Sequence, residues 1–174
     1  MLDAAVLVPA TLRDTSLRAA QADLYRVRWT REILGEVERT LIDNELTTSD
    51  RARRLIEIMN RAFPFAIVDD YEHLIPHLTN DPKDRHVLAA AIQSGADLIV
   101  TQNLRHFRDV HLTSYGVRAI SADEFLHSYL DRVPEIMLDI VARQAADLRN
   151  PPMTATNVLK SLSMHAPQFA RSAT

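Results

Sequence analysis

The chain is expected to fold as an α/β protein with a mostly parallel sheet, and three observations predict this. Short apolar runs at residues 2–8, 65–68, 97–101 and 117–120 alternate with segments of helical periodicity. Strands alternating with helices imply right-handed β-α-β crossovers between parallel strands. After Leu130 the pattern turns purely helical, which marks an extension added to an α/β domain.

Residues 2–8 read as a short buried strand ended by Pro9, and residues 12–24 as the helix after it. Residues 29–42 form a second helical pattern, with Ile33, Leu34, Val37 and Leu41 on one face. Residues 48–63 follow, with Leu55, Ile56 and Met59 apolar and Arg51, Arg53, Arg54 and Arg61 exposed between them. FAIV at 65–68 is a second strand, and a looser stretch through His73 and Pro76 leads to NDPKDRHVLAAAIQSG, a helix that stops near Gly95. DLIVT at 97–101 and VRAI at 117–120 are the third and fourth strands. Helices at 134–148 and 154–164, broken at Asn150-Pro151-Pro152, complete the chain. The expected division is a domain over residues 1–130 and a C-terminal helical extension over 131–174.

The 174 residues, 47% hydrophobic and 25% charged, suffice for a buried core. No apolar run approaches the roughly 20 residues that cross a bilayer. The first residues, MLDAAVLVPA, lack the basic start of a signal peptide and read as mature sequence. There are no cysteines, so disulfides, thiolate–zinc sites and cysteine nucleophiles are excluded, which fits a reducing cytoplasm. Three glycines, Gly35, Gly95 and Gly116, leave no P-loop and no dinucleotide fingerprint. Of 20 basic residues only Lys83 and Lys160 are lysine. Arginine suits phosphate, but a GC-rich coding sequence produces the same excess.

Asp84 stands out among the polar residues. In the helix after Asp81 the apolar face is set by Val87, Leu88, Ala91 and Ile92, and Asp84 falls in its middle. A carboxylate aimed at the core needs a cation or a set of donors. Alternatively Asp81 is an N-cap, Pro82 the first helical residue and Asp84 part of a capping box. His86 points away from the stripe and is expected to be solvated. Asp3 interrupts the apolar run MLDAAVLV, where it is either a site residue or a strand-end residue bonding nearby backbone. Glu36 and Glu38 flank the apolar stripe of the second helix, with Glu32 nearly opposite it, and periodicity does not choose between the flanking two. Carboxylates from three separate elements suit Mg²⁺ or Mn²⁺, which take hard oxygen ligands and serve phosphoryl chemistry. Zinc is disfavoured because Pro76 interrupts any helix that would align His73 with His77, and no GxSxG elbow supports a serine nucleophile.

Read together, these segments resemble the PIN-domain family, in particular its toxin-like bacterial branch. The likeness rests on Leu2-Asp3-Ala4-Ala5-Val6-Leu7, Glu32-Ile33-Leu34-Gly35-Glu36, the run from Asp81 to Ala91, and the run from Gly95 to Asn103. It covers roughly residues 1–130, and the order and spacing of the motifs carry it rather than any one motif. The resemblance implies a three-layer α/β/α sandwich around a mostly parallel sheet of four or five strands. It also implies an endoribonuclease in which acidic residues hold Mg²⁺ or Mn²⁺ and metal-activated water cleaves RNA. Carried over by position, the catalytic set is Asp3, Glu36, Asp84 and Asn103, with Asp3, Glu36 and Asp84 as metal ligands and Asp81 and Thr101 as auxiliary residues. Arg13, Arg85 and Arg105 are the candidate RNA contacts. The resemblance further implies a cytoplasmic toxin with a cognate antitoxin protein, often as a homodimer, and no membrane.

Two departures bear on activity. Relatives carry Asn or Ser where this chain has Ala5, and they begin with more apolar residues before the Leu-Asp. The first strand is therefore expected to be short, through a late start or a weakened protein. Both departures favour a second reading, a PIN-fold RNA-binding or regulatory protein with weak or no catalysis. A third, a Mg²⁺-dependent phosphatase, wants an Asp where Ala5 stands.

Overall fold

The computed structural model describes residues Met1–Thr174, which form two compact units. The first comprises Met1–Val8 and Val27–Ile120, the second Pro9–Arg26 and Ser121–Thr174.

In the first unit, α1 (Ala4–Leu7) is a single helical turn, followed, after α2 (Ala10–Gln21) of the second unit, by α3 (Arg31–Asp43), α4 (Ser49–Ala62), α5 (Arg85–Gln93) and α6 (Asp109–Leu112). Strands β1 (Leu98–Val100) and β2 (Arg118–Ile120) pair in parallel, Ile99 opposite Ala119. Single parallel bridges join Leu2 to Val100 and Trp29 to Ile67. The Leu2 N–H donates to Arg28 O at 3.0 Å, so short extended segments continue the β1–β2 direction. Ile99, Leu88, Leu7, Ile33 and Trp29 are fully buried around them.

Two strands form, not four or five. The run at 2–8 becomes a bridge plus a helical turn, because the chain bends at Asp3 (ψ 156°) into α1 and Val6 N–H bonds Asp3 O at 3.0 Å. Ala4 and Ala5 favour the helical state once that turn closes. At 65–68 only Ile67 pairs, since the Ala66 N–H turns back to Phe63 O and leaves Phe65 86% exposed.

The helices follow the expected segments closely. Thr30 caps α3 through Ile33 N–H and Thr48 caps α4 through Arg51 N–H. The helix expected from Asp81 starts as a 3₁₀ turn, Pro82–Asp84, before α5. It stops at Gly95, whose φ of +64° is a left-handed cap conformation suited to glycine.

The second unit is helical: α2 (Ala10–Gln21), α7 (Ala122–Arg132), α8 (Pro134–Asp147), α9 (Ala155–Leu162) and α10 (Pro167–Ser172). Helix α7 escaped the sequence reading although Ser121 caps it through Glu124 N–H. Asp123 at its start accepts from the Gln168 and Phe169 N–H groups, tying α10 to α7. Buried Thr15 of α2 bonds Gln144 of α8 at 2.7 Å. No helix is long and apolar enough to cross a membrane.

Candidate active site

The chain direction dictates where the polar groups gather. Asp3 and Thr101 each follow the paired residues Leu2 and Val100, so both lie at the carboxyl end of the parallel segments, where such sheets hold their sites. Asp3 is 4% exposed. Its Oδ2 accepts a 2.6 Å hydrogen bond from Thr101 Oγ1, and the Thr101 hydroxyl oxygen in turn accepts from Asn103 N–H at 3.0 Å. Burial pushes the Asp3 carboxyl above its ordinary pKa; the Thr101 hydroxyl opposes this, while the charges of Asp84 and Glu36 push it further up. Asp3, Glu36 and Asp84, from three elements, thus share one electrostatic neighbourhood.

Asp84 makes no side-chain cap bond, although Asp81 does, accepting from Lys83 N–H at 3.1 Å. The capping reading of Asp84 therefore does not hold. Its carboxylate instead meets His106 Nδ1 at 2.8 Å. Arg105 Nε donates to His106 Nε2 at 2.9 Å, which puts the ring proton on Nδ1, facing Asp84. Asp81, Asp84 and His106 lie together, with a carboxylate oxygen or ring nitrogen of each within 4.8 Å of the others.

Glu36 lies 3.2 Å from His86 Nε2, and Glu32, one turn earlier on α3, lies 3.7 Å from Nδ1. Glu32 also accepts from Tyr71 Oη at 3.0 Å. His86 is 5% exposed, which corrects its expected solvated position. Helix α5 is buried on all sides from His86 to Ala91, so its periodicity marked no solvent face. Burial lowers the His86 pKa, but the close Glu36 carboxylate, with the charges of Glu32 and Asp3, outweighs it and holds the ring above its ordinary value. Neither ring nitrogen has an aligned hydrogen bond, so ion pairing to two carboxylates is what compensates its burial.

The remaining expected residues are less convergent. Asn103 is exposed and contributes its backbone, accepting from His106 N–H at 2.9 Å. Arg85 Nε is held by Asn80 O at 3.1 Å, and Arg105 is exposed beside His106. Arg13 belongs to the second unit, where burial lowers its pKa against the opposing charge of Asp14. Sequence reasoning missed His106, Tyr71 and the pairing role of His86. His106 sits in a 3₁₀ turn, Leu104–His106, where no periodicity signals burial or partners.

The donor set fits a divalent cation of the hard type. Carboxylate oxygens supply it, and the half-buried positions of Asp81 and Asp84 leave room for water. Burial raises the Asp3 pKa most, and the repulsion from Asp84 and Glu36 that adds to it is what a bound cation would relieve.

Comparison with known proteins places residues 1–105 on the family model described as PIN domain, and residues 122–174 on one described as VapC50 C-terminal domain. A Mycobacterium tuberculosis protein, VapC50, named as a candidate ribonuclease, is 38% identical over 115 residues, which span 66% of this chain and 66% of that protein. No solved structure matches significantly.

Proposed function

The chain belongs to the PIN-domain family, and from that premise we propose that it is a Mg²⁺- or Mn²⁺-dependent endoribonuclease, the toxin of a toxin–antitoxin pair. One observation carries the reading: buried Asp3 meets the charges of Asp84 and Glu36 from two other elements. The name of the relative supports the reaction class.

Asp3, Glu36 and Asp84 would hold the cation, with Asp81 and Asn103 beside them. When bound, the cation supplies charge for the phosphoryl oxygens and lowers the pKa of a water nucleophile. Thr101 fixes the Asp3 rotamer through its 2.6 Å bond. His106 holds Asp84, and Arg85 and Arg105 offer charge to the RNA backbone. Arg13 is kept as a further RNA contact in this proposal. A cognate antitoxin, a homodimer and a cytoplasmic location are parts of the same reading. So are the division at residue 130 and the fuller three-layer sandwich, toward which the bridges at Leu2 and Trp29 extend the sheet.

Ala5 favours a second reading, a binding or regulatory PIN protein with weak catalysis. It brings no hydrogen-bonding side chain into the helical turn that follows Asp3. Titration of the purified chain with Mn²⁺, alongside incubation with an RNA pool, separates the two. Binding with EDTA-sensitive cleavage supports the nuclease; binding without cleavage supports the second reading; no binding sinks the metal centre.

A further inference from the structure

The loop after β1 carries a cavity of about 480 Å³ lined by Leu104, Phe107, Arg108, Asp109, Val110 and Ala119. The same loop supplies Thr101 and His106 to the acid site, and these alternate along the chain with cavity residues. Thr101 and His106 bond Asp3 and Asp84, whereas Phe107, next to His106, and Leu104, next to Asn103, line the cavity. Consecutive Cα atoms are about 3.8 Å apart, so the cavity lining adjoins the loop residues that hold Asp3 and Asp84.

Its lining has the character of a base-binding subsite. Phe107 is 2% exposed and closes the floor of the cavity, while Leu104 and Val110, 42% and 73% exposed, are the apolar groups open to a ligand. Single exposed apolar residues need no explanation, but here both border one cavity beside two unpaired charges. Arg108 and Asp109 are exposed and make no side-chain ion pair or hydrogen bond within the chain. Apolar walls that take a base face, with polar groups at the rim, are how proteins hold splayed-out bases of single-stranded RNA.

We propose that this cavity receives one unpaired base of the RNA beside the cleaved phosphodiester, and that Asp109 selects guanine. The proposal rests on the ribonuclease reading. An ionised aspartate only accepts hydrogen bonds. Guanine alone presents two adjacent donors on its Watson–Crick edge, at N1 and N2. Adenine and cytosine place a ring-nitrogen acceptor beside the amino group, and uracil flanks its N–H with two carbonyls, so each sets a lone pair against the carboxylate. Arg108, exposed in the same lining, offers a cation to a neighbouring phosphate.

The test measures affinity and cleavage separately. Short labelled single-stranded RNAs, identical except for one guanine, inosine or adenine, are titrated by fluorescence anisotropy in EDTA, with the full chain and with Asp109→Asn and Val110→Ser. The wild type is expected to bind the guanine RNA about 10-fold or more tighter than the adenine RNA. Inosine, which lacks the N2 donor, should fall between them. Asp109→Asn should erase that order, and Val110→Ser should weaken all three RNAs. Asp109 and Val110 are exposed, so circular dichroism is expected to show unchanged folds. Equal wild-type affinity for the three RNAs, or a preference that survives in Asp109→Asn, overturns the proposal. Sequencing of product ends from an RNA pool cleaved with Mn²⁺ is the second arm. Guanine enriched at a fixed position beside the cut, and lost in Asp109→Asn, supports the proposal; cuts without base preference overturn it. Discrimination in EDTA without any cleavage would defeat the ribonuclease reading and leave the guanine site standing.

Discussion

Replacing Thr101 with valine keeps the shape of a fully buried side chain and removes one hydroxyl. That hydroxyl donates to the Asp3 carboxylate at 2.6 Å and accepts from Asn103 N–H at 3.0 Å. Loss of a buried bond to a charged group costs about 1.5–3 kcal/mol, and loss of the acceptor for a partly buried N–H about 0.5–1.5 kcal/mol. Thr101→Val is therefore expected to destabilise the first unit by about 2–4 kcal/mol, or roughly 5–15 °C in Tm for a chain of this size. Denaturant unfolding in EDTA, followed by the fluorescence of Trp29, reads this directly. Trp29 is the chain's single tryptophan, fully buried in the same unit as Thr101.

The effect also has a pH signature. The folded pKa of Asp3 lies above its ordinary value, so the stability linked to it is full below the unfolded pKa and is lost as pH rises through the folded pKa. The Thr101 hydroxyl lowers the folded pKa, and its removal raises it further. Destabilisation by Thr101→Val should thus be larger at about pH 8 than at about pH 5. A loss below about 0.5 kcal/mol, or one equal at both pH values, would refute the claim that Thr101 carries a buried Asp3 charge.

Other expectations follow from the same neighbourhood. Asp3→Asn removes a buried charge that faces Asp84 and Glu36, so in EDTA it should raise Tm at neutral pH while abolishing stabilisation by Mn²⁺; thermal unfolding with and without the ion checks both. His86→Leu leaves Glu32 and Glu36 without their shared cation, and a loss of about 1–3 kcal/mol is expected in denaturant unfolding, with a smaller loss for His86→Gln. His106→Ala frees the Asp84 carboxylate from its 2.8 Å partner and should weaken Mn²⁺ binding about 10-fold by calorimetry, leaving the fold intact by circular dichroism.

Much of this arrangement was legible from residue order. Ile33, Leu34, Val37 and Leu41 are buried as the α3 stripe demands, and Asp84, singled out by its place in the sequence, lies in the 3₁₀ turn that leads into α5. The run DLIVT yielded β1, and Gly95 ended α5 where its left-handed φ requires. What failed did so for physical reasons. Periodicity assumes one wet face, and α5 has none from His86 to Ala91, so a buried histidine was read as a solvated one. Apolar runs do not distinguish a strand from a single helical turn, so residues 4–7 were misread once Asp3 ended the extended segment. His106 came to Asp84 through a 3₁₀ turn, a contact set by tertiary structure that spacing does not encode.

Gel-resolved cleavage of a mixed RNA pool, with Mn²⁺ and with EDTA, by the wild-type chain and by Asp84→Asn tests the metal centre most directly. The substitution keeps the side-chain shape, and no cap bond depends on it. Cleavage is expected with Mn²⁺ alone and only from the wild type, with both proteins folded. Cleavage that survives in EDTA, or in a folded Asp84→Asn, would contradict the proposed centre at Asp3, Glu36 and Asp84.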